Sequence, residues 1–510
     1  MKKTLTILMS VLLLLGLLPA SLAEAQEPVT LTAMVISSAI RPDMDKTAVL
    51  DYIEEKTGIR LEVTIVNDTE KMSLIFASRE YPDIFFNTGL TDEQLIIAAE
   101  DGDLLPLDDL IEQYSPSWKA FFENDAIANS LMRFPDGKIY GLPYVDYDGV
   151  ERDLRDQWLI NEAWLAELGL EYPHTVEEFR DVLRAFKAAA GTGTIPENVI
   201  PYFVRMDQWI MGQFDLYGCF GVYVSDQNMM TVEDGKVVYQ GVNEKMKAAL
   251  AYMRELYAEG LLTPDMFTAD SNTYRSITSS AEPMVGAFHI FNNTVPDKFT
   301  ALAPLASEQC DNPYIRRQLR LQTAKNFMIT SACENPEAAM KLAEWIAATP
   351  ENTFTTAWGL ENVFWKKTED GKITKLIDAT DPEYSEHSME FGFHNSFIAM
   401  RDDAFYANYV DPYKEVRNTR SWAFYNVYQP HVAPMEMLYV GAPLDTDKEE
   451  RLMELATDLN TYRTTTFSNW ISGQGDIEAE WDAYVKTCES MGLAEYIELR
   501  TEAYNLIYAK

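Results

Sequence analysis

Residues 29–65 read VTLTAMVISSAIRPDMDKTAVLDYIEEKTGIRLEVTI, and the fold follows from how this stretch changes period. Val29 to Ile36 is rich in β-formers. Asp45 to Lys56 then carries Val49, Tyr52 and Ile53 at helical spacing and stops at Gly58, after which Leu61, Val63 and Ile65 alternate with Glu62 and Thr64. Period two, then 3.6, then two again describes a βαβ unit. A helix over Glu70 to Ser78, a buried strand over Asp83 to Phe86 and a helix over Asp92 to Glu100 continue the alternation. Repeated βα units imply a parallel sheet covered by helices on both faces, with ligands held at the carboxyl ends of the strands.

The alternation starts again at Gln157 to Ile160, followed by a short helix over Glu162 to Leu168 and a longer one opened by Thr175. In Thr175-Val-Glu-Glu178 the spacing predicts a capping box, and Phe179, Val182, Leu183 and Phe186 form the apolar stripe behind it. A second α/β lobe begins here. Asn335 as N-cap with Pro336 at the first helical position opens another helix, to 347. The last 60 residues read as helices, with Leu452, Leu455, Leu459 and Tyr462, then Trp481, Tyr484, Val485 and Cys488, at helical spacing.

A chain of 510 residues that is 47% hydrophobic and 24% charged is globular and long enough for two or three cores. With 42 Lys and Arg against 80 Asp and Glu its formal charge is −38, which sets it against nucleic acid, long polyanions and anionic membranes. Residues 1–25 are expected to be a secretory signal: Lys2 and Lys3 precede an apolar run, Leu5 to Leu18, too short to span a bilayer, and cleavage is favoured after Ala25, with a site after Ala23 and an uncleaved, tethered form as the alternatives. The first cysteine is Cys219, so no acceptor for a lipid anchor lies near that site, and a secreted or cell-surface location is expected. Cys219, Cys310, Cys333 and Cys488 could pair in three ways; free, buried thiols are the favoured reading. The five histidines show no metal-binding spacing, and no nucleophile elbow or phosphate loop occurs, so no catalytic residue is assigned.

Several segments together resemble the extracellular solute-binding proteins of family 1, the substrate-capturing components of carbohydrate ABC importers in Gram-positive bacteria. They are Glu55-Lys-Thr-Gly-Ile59, Tyr81-Pro-Asp-Ile84, Leu104-Leu-Pro-Leu-Asp-Asp-Leu-Ile111, Asp136-Gly-Lys-Ile-Tyr-Gly-Leu-Pro143, Trp164 to Leu170 with Pro173 and Thr175, Ile329-Thr-Ser331 with Asn335-Pro-Glu337, and Trp481-Asp-Ala-Tyr484 with Met491-Gly-Leu493. The resemblance implies a two-lobe α/β fold of the type II periplasmic-binding-protein kind, similar to maltose-binding proteins, hinged between its lobes. It further implies a monomer that captures a carbohydrate, expected to be an oligosaccharide, and hands it to membrane permease subunits. A ligand-sensing or peptide-binding protein on the same scaffold is the alternative reading, with a secreted glycan hydrolase or lyase behind it. Crossings between lobes are expected near Leu142 to Gln157, Glu282 to Val285 and Thr330 to Glu334, giving lobe 1 as 26–148 plus 284–331 and lobe 2 as 149–283 plus 332–510.

Departures from the family pattern matter as well. Many relatives carry a calcium-binding, EF-hand-like loop after the Ala-Phe-Lys of the capped helix; here Ala185-Phe186-Lys187 is followed by Ala188-Ala-Ala-Gly-Thr-Gly-Thr-Ile195, without a carboxylate until Glu197. Calcium needs several oxygen ligands, so neither metal nor cofactor is expected. Asn161-Glu162-Ala163 and Glu361-Asn362 also replace segments that relatives usually carry.

A sugar site combines flat aromatic faces with carboxylates, amides and guanidinium groups that make paired hydrogen bonds. Candidates are the residues that follow a strand or a crossing: Tyr144 and Asp146 at the first crossing; Arg205, Asp207 and Trp209 after Pro201 to Val204; and Phe288, His289 and Asn292 at the second crossing. Trp358, Glu361 and Trp365 follow the Asn335 helix, with Trp365 the leading tryptophan, and Trp422 opens the aromatic run to Tyr428. Trp470 and Trp481 are assigned to the core.

Overall fold

The computed structural model describes residues 28–37, 44–147, 154, 156–206, 212–278, 280, 282–290, 296–317, 319, 321–376 and 398–508. The expected signal segment, and the candidates Asp207, Trp209 and Asn292, lie outside the described residues.

The opening unit forms as its periodicity dictates. Strand β1 (Val29–Ile36) buries Leu31, Ala33 and Val35 on one face, and β2 (Ile59–Val66) pairs with it in parallel along its whole length. The intervening helix, Ala48–Thr57, ends where Gly58 takes φ +70° and returns its N–H to the Glu54 carbonyl, a left-handed cap that costs little without a Cβ. β3 (Ile84–Phe86) pairs with β1 in parallel. β4 (Leu142–Asp146), β11 (Leu321–Ile329) and β14 (Ala399–Arg401) complete a six-stranded sheet in the order β14-β4-β11-β3-β1-β2, antiparallel only at β11.

The second sheet has four strands in the order β10-β5-β9-β6, formed by β5 (Gln157–Asn161), β6 (Ile200–Phe203), β9 (Val285–Ile290) and β10 (Phe299–Ala301). Between them a hairpin, β7 (Met230–Glu233) and β8 (Lys236–Tyr239), stands apart. A small three-stranded sheet joins β12 (Trp365–Lys367), β13 (Ile373–Lys375) and β15 (Tyr409–Val410). The Thr175 capping box is present, Thr175 and Glu178 each accepting from the other's backbone N–H, and the whole Phe179, Val182, Leu183, Phe186 stripe is buried. Asn335 stands before the Pro336–Ala347 helix but makes no side-chain cap bond, a departure from the expected N-cap.

Strand pairing corrects the lobe assignment. β9 and β10 belong to the four-stranded sheet, not to the first lobe, and the chain passes into the six-stranded sheet only between Ala301 and Leu321. The Pro336–Ala347 helix packs on the first sheet over β11 and β14, with Ala339, Leu342 and Ile346 in the same core as Leu31 and Ala33, and β14 extends that sheet; the return expected at 330–334 does not occur. The three long helices Thr446–Ile471, Ile477–Ser490 and Leu493–Tyr508 share a core with the second sheet. Trp470 and Trp481 lie inside that core.

Candidate functional site

Parallel pairing puts the carboxyl ends of β1, β3, β4 and β14 on one edge of the first sheet, and those of β6, β9 and β10 on one edge of the second. β5 starts beside the end of β9, with Gln157 opposite Ile290, and β11 starts beside the end of β4, with Leu321 opposite Val145. The connections from β4 to β5 and from β10 to β11 therefore join one carboxyl edge to the other. This is where loops of an open α/β sheet converge on a ligand.

On the first edge, the Asp146 carboxylate is 2.7 Å from the Arg401 guanidinium and accepts the Tyr406 hydroxyl at 2.6 Å. Arg401 also donates to the Tyr144 hydroxyl and lies 5.2 Å from the Tyr144 ring and 5.5 Å from that of Trp358. Burial pulls the Arg401 guanidinium below its ordinary pKa. Lys375 approaches the Trp358 ring at 4.8 Å. Sequence reasoning named Tyr144, Asp146 and Trp358 but passed over Arg401, whose only signal is a short apolar strand, Ile398 to Met400, ending in a charge. Tyr144 and Asp146 are fully buried and orient Arg401.

On the second edge, the His289 Nε2 lies 3.2 Å from Asp215, whose other oxygen accepts the Arg316 backbone N–H at 3.1 Å. Burial alone would raise the Asp215 carboxyl; His289 and Arg316 together bring it below its ordinary value. Trp158 stacks on both His289 and Tyr202, with centroids 5.1 and 5.8 Å apart. The Arg316 guanidinium reaches Asp156, so this group ties one connection to the other. Arg205, just past β6, lies with its guanidinium 4.8 Å from the Tyr274 ring.

Four candidates sit elsewhere. Phe288 points to the opposite face of β9 from His289, into a cluster with Leu159, Phe203 and Phe299, because successive side chains of a strand alternate. Trp365 is 2% exposed, donates its indole N–H to the Gly359 carbonyl at 3.0 Å and packs on Phe354, so it is core of the small sheet and offers no stacking face. Glu361 lies in an exposed turn beside it. Trp422 lies half-buried along the β10 edge, lining a groove of about 650 Å³ with Tyr172, His174 and Arg417.

Sequence reasoning also missed Asn87 and Lys325. Asn87 follows β3 with φ +30° and donates its N–H to the Asn326 carbonyl, at an irregularity of β11 between Gln322 and Phe327. Such interruptions re-aim side chains beside sites. The buried Lys325 ammonium is 2.6 Å from Asp92. The carboxyl-end rule applied to Ile84-Phe-Phe86 would have found Asn87. Lys325 leaves no pattern in sequence.

Similarity to known proteins agrees with this geometry. A fructooligosaccharide ABC transporter substrate-binding protein of Streptococcus pneumoniae is 27% identical, with 94% of this chain and 91% of that protein aligned. The solved structure of the S. pneumoniae protein FusA with kestose covers 94% of this chain and 99% of its own at a TM-score of 0.79 and 24% identity. The structure of its EF-hand mutant with fructo-nystose matches equally well, at a TM-score of 0.79 over the same shares. The family model for bacterial extracellular solute-binding proteins matches residues 38–353, more than half of the chain. With two sheets presenting their carboxyl edges to one another across paired connections, this chain belongs to the bacterial extracellular solute-binding protein family.

Proposed function

We propose that this chain captures an oligosaccharide between its two sheets, outside the cytoplasmic membrane, and delivers it to the permease of an ABC importer. The observation that carries the reading is the pair of connections, 146 to 157 and 301 to 321, joining the two carboxyl edges. Two stiff bodies joined by a few such strands rotate about them, and a ligand touching both biases the closed arrangement. Arg205 and His289 on one side, and Asn87, Arg401 and Trp358 on the other, supply the guanidinium, imidazole, amide and aromatic groups suited to hydroxyl edges and C–H faces. The fructooligosaccharide relative, aligned over 94% of this chain, and its solved complexes with kestose and fructo-nystose make those sugars the first ligands to test. Binding without turnover is the expected activity, by a monomer.

Isothermal titration of the chain from residue 26 against kestose, nystose, a galacturonan fragment and a peptide set tests this directly. Saturable one-to-one binding of a glycan, with no product released, supports the reading. Binding of peptides alone, or release of a shorter sugar, overturns it.

A further inference from the structure

We infer that this chain closes the loop after its capped helix with a carboxylate of its own, Glu167, in the place where the family resemblance implies a calcium-binding loop in many relatives. The segment joins the Val176–Ala188 helix to β6, whose carboxyl end leads to Arg205. Glu167, on the Glu162–Leu168 helix, accepts the Thr194 backbone N–H at 3.0 Å and the Thr194 hydroxyl as well. Those bonds draw its carboxyl below the ordinary range. Within the loop, Gly191 donates to the Ile195 carbonyl at 3.1 Å and Ile195 to the Thr192 carbonyl at 2.9 Å, while the Ile195 side chain is buried in the core of the second sheet. Gly193 takes φ +54°, and a Cβ there would come within 1.5 Å of the Glu167 Oε1. The positive φ favours glycine at this position, and any Cβ there would push the Glu167 carboxylate out of its bonds with Thr194.

A calcium ion does not fit the donors present. It takes six to eight oxygens, with carboxylates prominent among them. Between Ala188 and Glu197 the only carboxylate is that of Glu197. Both Glu167 oxygens already accept from Thr194, and the Thr192 hydroxyl is committed to the Ala189 carbonyl. The clamp performs the task an ion would perform, fixing the turn ahead of β6, from within the chain.

Thermal unfolding and hydrogen exchange of the chain from residue 26 test it. The wild-type midpoint should be the same in excess chelator and in millimolar calcium chloride, since an ion that does not bind the folded state cannot stabilise it. Glu167→Ala should raise amide exchange across 190–196 about tenfold, the size of losing one hydrogen-bonded clamp, and calcium should not reverse it. Thr194→Val, which removes only the hydroxyl, should raise it by less. A midpoint that falls in chelator and returns with calcium overturns the inference, and so does unchanged loop exchange in Glu167→Ala.

Discussion

Asp146→Ala should destabilise the protein severely, and the reason is the guanidinium it leaves behind. The Asp146 side chain is 0% and that of Arg401 4% exposed, and the pair is 2.7 Å apart. Taking one partner out of a buried pair leaves an uncompensated charge, at a cost of about 3–5 kcal/mol. The Tyr144 hydroxyl and the rings of Tyr144 and Trp358 still face Arg401, which places the expectation at the lower end, about 3 kcal/mol. For a cooperative unit the size of one lobe this corresponds to a fall of roughly 6–12 °C in the unfolding midpoint. Calorimetry of wild type, Asp146→Ala, Arg401→Met and the double variant is the assay. Because an apolar pair can replace a buried ion pair without loss, the double variant should recover part of the stability lost by Asp146→Ala. A single variant that loses less than about 1 kcal/mol, or a double variant as unstable as the sum of the singles, would refute the reasoning.

Trp365→Leu should lower stability by about 2–4 kcal/mol through a core cavity while leaving glycan affinity unchanged, checked by denaturation alongside titration calorimetry. The folded Asp215 carboxyl titrates below its ordinary value, so the stability it contributes is present above its unfolded pKa and drains away as pH falls through the folded one. Asp215→Asn should accordingly flatten the acid limb of a stability–pH curve. Gly286→Ala places a Cβ 2.6 Å from the Pro201 carbonyl and 2.4 Å from the Phe186 ring, and should lower the midpoint by separating β9 from β6. In a timed thiol assay Cys310, half-exposed, should react first, and the buried Cys219, whose thiol burial pushes up, only after unfolding.

Local structure was legible where a few adjacent residues decide it. Gly58 stops a helix, Thr175 and Glu178 cap one, and the Val29 to Ile65 stretch alternates its period, each decided by residues near one another in the chain. Partner choice was not legible in the same way. Val285 to Ile290 is buried on both faces, so its pattern fits a central strand of either sheet, and only its register against Gln157 and Ile200 says which. The site divided along the same line. Tyr144, Asp146, Arg205 and His289 could be nominated from sequence because each stands at or just past the carboxyl end of a strand, whereas Arg401, Asp215 and Arg316 owe their places to contacts across the fold. Trp365 misled because an aromatic beside a carboxylate reads alike in a site and in a small core.

The short helical run from Arg420 to Tyr428 lies over both connections. Ala423, Phe424 and Tyr428 cluster with Leu154 of one and Ile315 of the other, next to Ala301. Its polar bonds run from Arg420 to the Leu154 carbonyl and from Tyr428 to the Trp158 carbonyl, while Ile315 donates to the His431 carbonyl just beyond it. Mechanically the run is pinned to both connections at once. A close-packed apolar cluster of this kind has a few discrete arrangements, so rotation about the connections must repack it. Shifting any two-state hinge from almost wholly open to almost wholly shut takes a ligand that the closed state holds about 5.5 kcal/mol more tightly than the open one.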